Sequence, residues 1–280
     1  MFYLLKRFIQ MKILLNKNDL NEALKKAPNV GFVPTMGSLH RGHISLIRHS
    51  KRKCKKTIVS IFINPTQFNN KRDYARYPRN KRKDLLILKK LKVDFVFLPN
   101  KKNVYDFKRK FKIKIAKKDK ILCAKYRKGH FEGVIDVMDR LNKMIKPKKI
   151  FMGEKDYQQF YLINKYFKKE KKNKIIMCKT IRDNHKLALS SRNILLNKKE
   201  LKTARFISKD LENFKKILKK KKNVKKLISL KRNMYDLLKN IKVEYLELRN
   251  KSNLKKSSQI KNSKIFIAYY INKLRLIDNF

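Results

Sequence analysis

The chain has 280 residues, 42% of them hydrophobic, which is enough for one large domain or two ordinary ones. This fraction argues against a disordered chain, and the lack of any long apolar run argues against a membrane protein. The formal net charge is +56, from 77 Lys and Arg against 21 Asp and Glu. A nucleic-acid binder tends to concentrate its charge on one face or tail, whereas lysine here occurs in nearly every segment, so no specific nucleic-acid partner is expected.

The cysteines and the N-terminus indicate the compartment. Cys54, Cys123 and Cys178 lie far apart and form no CxxC pair, so neither a disulfide framework nor a cysteine-rich zinc site is supported. We therefore expect a reducing cytoplasm. The opening MFYLLKRFIQ is a poor signal peptide, because Lys6 and Arg7 interrupt its apolar run. Residues 1–10 are either an extension or a mis-assigned start before Met11.

Strands and helices are predicted to alternate through the first two thirds of the chain. Strands are predicted at 12–15, 30–33, 57–63, 93–99, 149–153 and 174–181, with Pro34 stopping the second. Helices are predicted from residue 18 or 19, and over 43–52, 84–92, 133–147 and 157–169. The run TIVSIFI at 57–63 is typical of a strand buried on both faces of a parallel sheet. This alternation predicts an α/β fold.

The pattern changes near residue 180. Residues 198–240 are lysine-rich and helical, and 243–250 and 264–280 resemble strands. We predict two domains: 1–180 with the parallel sheet, and 181–280 as a smaller α+β domain.

The stretch VPTMGSLHRGH, residues 33–43, is the strongest candidate site. A strand, a glycine turn and a helix start present backbone N–H groups at the carboxyl edge of a parallel sheet, where anions bind. His40 and His43 would share a helix face and could donate hydrogen bonds to phosphate oxygens. Gly42 would let a flat ligand approach the backbone. The alternatives are a zinc pair, for which no further ligands stand out, or two ordinary surface histidines.

Two further stretches repeat a strand followed by polar residues. Asn64 and Gln67 follow the buried strand in SIFINPTQF, and Gln67 could bind a hydroxy acid. In GEKDYQQF, Lys155 could hold a phosphate, Asp156 could hold ribose hydroxyls or a metal-bound water, and Gln159 offers a second ligand contact. The simpler interpretation of SIFINPTQF is a turn formed by Asn-Pro, and that of GEKDYQQF is a helix N-terminus with acidic residues in its first turn.

Two basic loops complete the candidates. LALSSRN, 187–193, could clamp a triphosphate and neutralise leaving pyrophosphate through Arg192, although, taken alone, a serine-rich cap before a helix is the better interpretation. In RKGHFEGV, Arg127 could hold a carboxylate. His49 and His185 have no partner motif and are predicted to lie on the surface.

Taken in order, these stretches resemble the pantothenate synthetase family, the pantoate–β-alanine ligases. The matching motifs are VPTMGSLHRGH, SIFINPTQF, ARYPR, GHFEGV, MGEKDYQQF, LALSSRN and LRLIDN, which together span 33 to 279. The resemblance implies a Rossmann-like nucleotidyltransferase domain of the HIGH-motif superfamily, a smaller C-terminal domain, and a homodimer. It implies that pantoate, Mg²⁺-ATP and β-alanine react through pantoyl adenylate to give pantothenate, AMP and pyrophosphate, with no metal site on the protein.

The resemblance also assigns residues. Catalytic roles would fall to His43, His40, Lys155 and Arg192. ATP would be bound by Met36, Gly37, Ser38, Leu39, His40, Arg41, Gly42, His43, Gly153, Glu154, Lys155, Asp156, Ile181, Leu189, Ser190, Ser191 and Arg192. Gln67 and Gln159 would hold pantoate, with Gln67 also near β-alanine. Asn64 and Arg127 join this set on the residue arguments above.

Three positions depart from the family pattern. His185-Lys186 stands where relatives usually have Asp-Gly, Asp136 replaces a usual Thr, and Asn272 replaces a usual Gly. None removes a residue assigned to chemistry. Two other hypotheses remain: a HIGH-superfamily nucleotidyltransferase with a different acceptor acid, and a non-enzymatic nucleic-acid binder or a degraded enzyme reused as one.

Overall fold

Residues 11–107, 112–170 and 173–280 are described by the computed structural model, so the predicted extension at 1–10 lies outside the described part. The chain forms two compact units, each discontinuous in sequence. The first unit takes its described residues from Met1–Lys114, His130–Met152 and Leu162–Cys178, and the second from Ile115–Gly129, Gly153–Tyr161 and Lys179–Phe280. The domain limits 1–180 and 181–280 remain predictions.

The first unit is built on a six-stranded sheet, which confirms the predicted α/β class. Its strands are β1 (Lys12–Leu14), β2 (Val30–Thr35), β3 (Lys56–Ile61), β4 (Phe95–Phe97), β5 (Lys149–Gly153) and β6 (Lys174–Cys178), in the spatial order β1-β4-β3-β2-β5-β6. The pairs β1–β4, β4–β3, β3–β2 and β2–β5 are all parallel. Ile58 and Val59 of β3 are fully buried, as expected for a strand covered on both faces.

The helices predicted in the first two thirds of the chain begin and end within three residues of the observed limits, whereas the short helices Lys71–Arg76, Lys101–Val104 and Cys123–Tyr126 are not among the predicted ones. They are α1 (Lys17–Lys25), α2 (Arg41–Lys53), α3 (Lys71–Arg76), α4 (Lys81–Lys90), α5 (Lys101–Val104), α6 (Cys123–Tyr126), α7 (His130–Ile145), α8 (Tyr157–Lys169), α9 (Lys198–Leu218) and α10 (Val224–Asp236). Ile47 of α2 and Leu88 of α4 pack against Val33, Val59 and Val96 of the sheet in one core. Among the described residues, none of these helices has both the length and the apolar character needed to cross a membrane.

Several predicted limits differ from the structure. Pro34 does not stop β2, which continues to Thr35 opposite β3, whereas the pairs with β5 end at Phe32. A proline is tolerated where a strand has lost one of its two neighbours. The strand predicted at 93–99 shortens to β4, which pairs with only three residues of each neighbour, β1 and β3.

The second unit contains a three-stranded antiparallel sheet with α9 and α10. Its strands are β7 (Ile241–Asn250), β8 (Ser263–Ile271) and β9 (Leu274–Asn279), in that order. Asn272 lies between β8 and β9 with a φ of 52°. Asparagine tolerates this left-handed conformation better than most residues, which explains why Asn can replace the glycine usual in the family.

Candidate active site

The turn between β2 and α2 carries the first motif in a constrained backbone. Gly37 and Ser38 adopt consecutive positive φ angles of 79° and 51°. A Cβ on Gly37 would lie 3.0 Å from Oδ2 of Asp84 and 3.1 Å from Cγ2 of Ile61. A side chain at position 37 would therefore be strained by the backbone conformation and would press on both of these neighbours.

The two histidines are held by backbone hydrogen bonds at the start of α2. Nδ1 of His40 accepts from the N–H of Gly42 at 3.1 Å, and Nδ1 of His43 accepts from the N–H of His40 at 3.3 Å. The ring centroids are 4.1 Å apart. Because each Nδ1 is an acceptor, each neutral ring carries its proton on Nε2, and Nε2–H is the group through which each ring can donate.

Glycine is needed at position 42 for a structural reason that the sequence does not suggest. A Cβ at this position would lie 2.7 Å from Cε1 and 2.8 Å from Nδ1 of His40. The side chain that requires the glycine is therefore the imidazole of His40, and the approach of a flat ligand to the backbone of Gly42 remains a prediction.

Asp84 supports the same turn and was missed by the sequence analysis. Its carboxylate, only 2% exposed, accepts from the N–H of Ser38 at 2.8 Å and the N–H of Leu39 at 2.7 Å. The N–H of Gly37 donates to Oγ1 of Thr35 at 3.2 Å. Three consecutive N–H groups that the motif was expected to offer to an anion thus bind protein oxygens.

The residues after β3 lie against this motif within the first unit. Asn64 and Gln67 are both buried, and Nε2 of Gln67 donates to Sδ of Met36 at 2.8 Å. Nδ2 of Asn64 donates to the carbonyl of Gly133 at 3.2 Å and to Oε1 of Gln67 at 3.4 Å. The structure therefore brings Asn64 and Gln67 to the first motif, as the predicted parallel sheet requires.

A second layer of side chains holds Asn64 and Gln67. Nδ1 of His130 lies 2.7 Å from the carbonyl oxygen of Gln67, and the hydroxyl of Tyr105 donates to Oδ1 of Asn64 at 2.8 Å. Burial is the main cause that raises the pKa of Tyr105, so its hydroxyl stays a neutral donor. Sequence reasoning assigned no role to either residue, because their partners are distant along the chain.

The replacement at Asp136 is accommodated locally. Arg140, one helical turn later in α7, donates from Nε to Oδ1 of Asp136 at 3.1 Å. The guanidinium of Arg140 also lies over the rings of Tyr105 and Phe107, 4.6 Å from each centroid. Asp136 therefore gains a charged partner that a threonine would not have.

In the second unit, residues 154–156 form a 3₁₀ turn held by the C-terminal strand. Nδ2 of Asn279 donates to the carbonyls of Glu154 and Lys155 at 2.9 and 2.8 Å. Nζ of Lys155 lies 3.5 Å from Oδ1 of Asp156, and Glu154 pairs with Lys264 at 3.0 Å. The carboxylate of Glu154 thus has a structural partner. Asn279 is a supporting residue that the LRLIDN motif signalled without indicating its role.

Neighbouring glutamines in α8 differ in their environment. Gln158 is buried and donates from Nε2 to the carbonyl of Ile121 at 2.6 Å. Gln159, the predicted pantoate ligand, is half-buried. Arg127 ends α6 in the second unit and is also half-buried, and its predicted carboxylate role remains a prediction.

The loop 181–192 folds back on itself within the second unit. The N–H of Leu189 donates to the carbonyl of Ile181 at 2.9 Å, which brings these two predicted ATP contacts together. Oγ of Ser190 accepts from the N–H of Arg192 at 3.3 Å and caps the short 3₁₀ helix Ser191–Leu195. The cap that the sequence allowed is therefore present, and it fixes the direction of the chain at Arg192.

The His185-Lys186 departure has a visible cost. Lys186 adopts a φ of 73°, where a glycine is unstrained and an ordinary L residue is disfavoured by roughly 1–2 kcal/mol. A hydrogen bond closes the turn: the N–H of Lys186 donates to the carbonyl of Asp183 at 3.0 Å. The loop therefore keeps its turn without the glycine, under local strain.

The remaining histidines differ from one another. His185 is exposed, as predicted. The prediction that His49 lies on the surface is wrong, because it is half-buried with Nδ1 3.2 Å from Sγ of Cys178. Its position on the inner side of α2 places it against β6.

Fold and site together define an α/β nucleotide-binding enzyme, with polar side chains gathered beyond the carboxyl ends of β2 and β3. The chain belongs to the pantoate–β-alanine ligase family, because the sequence model described as Pantoate-beta-alanine ligase matches residues 10–280. A pantothenate synthetase from Francisella tularensis subsp. novicida (strain U112) is 40% identical over 273 residues, covering 94% of this chain and 93% of the relative.

Solved structures agree with this assignment. Pantothenate synthetase from Thermus thermophilus has a TM-score of 0.89 at 28% identity, covering 96% of this chain and 99% of that chain. Pantoate-beta-alanine ligase from Francisella tularensis, complexed with beta-gamma ATP and beta-alanine, has a TM-score of 0.80 at 37% identity, covering 97% of each. The resemblance found in the sequence is confirmed. The activity of this chain is the ATP-dependent ligation of pantoate to β-alanine in pantothenate synthesis.

Proposed function

We propose that the ligation proceeds in two steps through pantoyl adenylate. A carboxylate oxygen of pantoate attacks the α-phosphorus of ATP, and the bond from that phosphorus to the β-phosphate bridging oxygen breaks, releasing pyrophosphate. The β-alanine amine then attacks the acyl carbon, loses a proton, and displaces AMP to give pantothenate. Neither step needs a covalent nucleophile on the protein, so catalysis depends on positioning and on stabilising phosphate charge.

The observation that carries this proposal is the paired acceptor role of Nδ1 in His40 and His43. Each imidazole therefore has Nε2–H as its donor, in an orientation fixed by the backbone. Such donors stabilise charge that develops on phosphate oxygens during displacement at phosphorus. Since the N–H groups of residues 37–39 bind protein oxygens, we assign the anion contacts of this motif mainly to the imidazoles.

The remaining roles follow the family match by position. Lys155 binds a phosphate as a point charge, and Arg192 neutralises the leaving pyrophosphate. Gln67 and Gln159 bind pantoate, with Asn64 orienting Gln67 through the 3.4 Å hydrogen bond, and Arg127 holds a carboxylate. The full ATP set consists of Met36, Gly37, Ser38, Leu39, His40, Arg41, Gly42, His43, Gly153, Glu154, Lys155, Asp156, Ile181, Leu189, Ser190, Ser191 and Arg192.

Magnesium enters this scheme as part of the ATP substrate. Among the described residues, no group of three or more His, Cys, Asp or Glu side chains could hold a metal ion. Mg²⁺ is commonly bound through substrate phosphates and few protein ligands, which fits the basic and imidazole side chains assigned to ATP. The ion would neutralise phosphate charge, while the protein orients the nucleotide.

We further propose a cytoplasmic homodimer as the working form. The family resemblance supports this state, and so does the edge strand β1, where Ile13 is 45% exposed and Leu15, directly after the strand, is 52% exposed. A charge of +56 on each subunit opposes association at low ionic strength. Sedimentation at two salt concentrations tests this: a dimer that strengthens with salt supports the proposal, and a monomer at all salt concentrations contradicts it.

The proposed reaction is tested by measuring AMP and pantothenate with pantoate, β-alanine and Mg²⁺ each supplied or withheld. We expect both products only when all three are present with ATP. We also expect pyrophosphate release in a single turnover with pantoate and no β-alanine. Turnover that ignores pantoate, or that produces ADP, would contradict the proposal.

A further inference from the structure

We propose that Asp84 is a positioning residue for adenylation, setting the turn that places His40 and His43. The inference rests on the proposed role of these imidazoles in the first step. Asp84 lies in α4, 45 residues from Leu39 in sequence, and its carboxylate accepts from two consecutive N–H groups, of Ser38 and Leu39. Leu39 directly precedes His40, the residue that caps α2.

The hydrogen bonds at position 84 need a carboxylate. Two N–H groups need two acceptor oxygens, whereas an asparagine would offer one acceptor and place an NH₂ group against the other N–H. Oδ2 is also the atom that would lie 3.0 Å from a Cβ on Gly37, so the turn and the carboxylate fit closely. A residue at 84 that lacks either oxygen would leave a buried N–H without a partner in this arrangement.

Asp84 is itself fixed on a rigid element. Its N–H donates to the carbonyl of Asn80 at 2.9 Å in the first turn of α4, and Leu88 one turn later is fully buried in the sheet core. The carboxylate therefore holds the backbone of the turn at a fixed position relative to the core. Since the two Nδ1 bonds tie the rings to the backbone of residues 40 and 42, a shift of the turn would move the donors.

Function is expected to be sensitive to such a shift. Misplacement of reacting groups by about 1 Å can lower a rate by about 100-fold. The negative charge of Asp84 does not favour phosphate binding by itself, so its presence beneath an ATP motif is better explained by geometry than by ligand contact.

The chain supplies a matched control in Asp94. This carboxylate is also buried, at 9% exposure, and accepts from a backbone N–H, that of Thr57 at 2.9 Å, and from Nζ of Lys56 at 2.8 Å. Asp94 directly precedes β4 and contacts the amino end of β3, away from the turn that follows the carboxyl end of β2. Asp94→Asn therefore removes a comparable buried carboxylate without touching the motif.

The test compares Asp84→Asn and Asp94→Asn in single-turnover adenylation, measured as pyrophosphate release at saturating ATP and pantoate. We expect a step slower by roughly 10- to 100-fold in Asp84→Asn and by less than about twofold in Asp94→Asn, with both proteins folded by circular dichroism. The side-chain ¹⁵N shifts of His40 and His43 should change only in Asp84→Asn. Equal rates in the two variants, or a wild-type rate in Asp84→Asn, would overturn the inference.

A second variant approaches the same contact from the other side. Gly37→Ala strains the same turn, through its φ of 79° and its close approach to Oδ2 of Asp84, and is expected to slow adenylation and to change the side-chain ¹⁵N shifts of His40 and His43. A wild-type rate with those shifts changed would overturn the inference even where Asp84→Asn does not fold. If the wild-type protein itself releases no pyrophosphate with pantoate, the proposed function fails rather than the role of Asp84.

Discussion

Nδ1 of His43 accepts the backbone N–H of His40 at 3.3 Å, so the second histidine of the motif is tied to the residue that caps its own helix. The bond fixes the ring orientation and directs the protonated Nε2 away from the backbone. The same hydrogen bond therefore belongs to the helix cap and orients the ring that is proposed to stabilise phosphate charge.

Replacing His43 by alanine should slow adenylation strongly. Loss of one fixed donor to developing phosphate charge typically lowers the rate about 100- to 1,000-fold. The helix cap also loses one partner, with a cost of about 1 kcal/mol in the free energy of unfolding, which leaves the fold intact. Single-turnover pyrophosphate release measures the effect. His185→Ala, at an exposed position, is the matched control, and an unchanged rate in His43→Ala would refute the assigned role.

Lys155→Ala should weaken the use of ATP more than that of β-alanine. The ammonium group is assigned to a phosphate, and its ion pair with Asp156, at 3.5 Å, is a long one. We expect the KM for ATP to rise about tenfold or more while the KM for β-alanine changes little. Steady-state kinetics with each substrate varied measures both constants. The control is Lys239→Ala, an exposed lysine of the same unit, and equal ATP affinity in Lys155→Ala would count against the assignment.

The ion pair Arg182–Asp278 should contribute more to the stability of the second unit than the ion pair Arg232–Asp236. Arg182 donates from both terminal nitrogens to Asp278, at 2.6 and 2.9 Å, and the carboxylate side chain is 5% exposed. Asp278→Ala removes the carboxylate that neutralises a partly buried guanidinium, which typically costs about 3–5 kcal/mol of unfolding free energy.

Urea unfolding of Asp278→Ala measures this cost. The exposed pair Arg232–Asp236, at 3.8 Å, provides the comparison, because removing such a pair typically changes stability by at most about 1 kcal/mol. Equal losses in Asp278→Ala and Arg232→Ala would contradict the difference in burial on which this prediction depends.

Stability should fall at high pH partly through Cys178. Burial raises the pKa of its thiol from 9.0 to about 11, despite the opposing charges of Lys53 and Arg52. A raised pKa in the folded state stabilises the protein fully below about pH 9, and this contribution is lost as the pH rises from about 9 to about 11. The expected loss is at most about 1.4 kcal/mol per pH unit in that window.

The measurement is the free energy of unfolding of the wild type and Cys178→Ala between about pH 8 and about pH 11. The alanine variant is expected to be less stable overall but to have a shallower slope above about pH 9. Buried tyrosines such as Tyr269 also have raised pKa values and contribute to the slope in both proteins. Parallel curves for the two proteins would show that Cys178 does not titrate as expected.

Much of the first unit could be predicted because its signals are local. The run 57–63 has the β-branched and aromatic composition of a buried strand, and the helical spacing of 157–169 matched α8 at both ends. The assignment of Gln67 to the first motif also followed, since parallel strands end at one edge. These predictions needed only periodicity and the direction of the strands.

Support of the site depends on long-range contacts that local patterns do not contain. Asp84 looks in the sequence like an ordinary acidic residue in the first turn of a helix, and nothing near it indicates two N–H partners 45 and 46 residues away. At Lys186 only the glycine usual in relatives hints at a positive φ, and the turn closed on Asp183, which imposes it, is not visible in the lysine itself. Burial and backbone conformation at these positions follow from tertiary structure.

The central claim is that pantoate is activated as its adenylate, and oxygen transfer tests it most directly. Pantoate labelled with ¹⁸O in both carboxylate oxygens is supplied with ATP, Mg²⁺ and β-alanine, and the AMP is analysed by mass spectrometry. Attack of the carboxylate on the α-phosphorus predicts one ¹⁸O atom in each AMP and one in each pantothenate amide. Unlabelled AMP, or label in inorganic phosphate with ADP as product, would contradict activation through the adenylate.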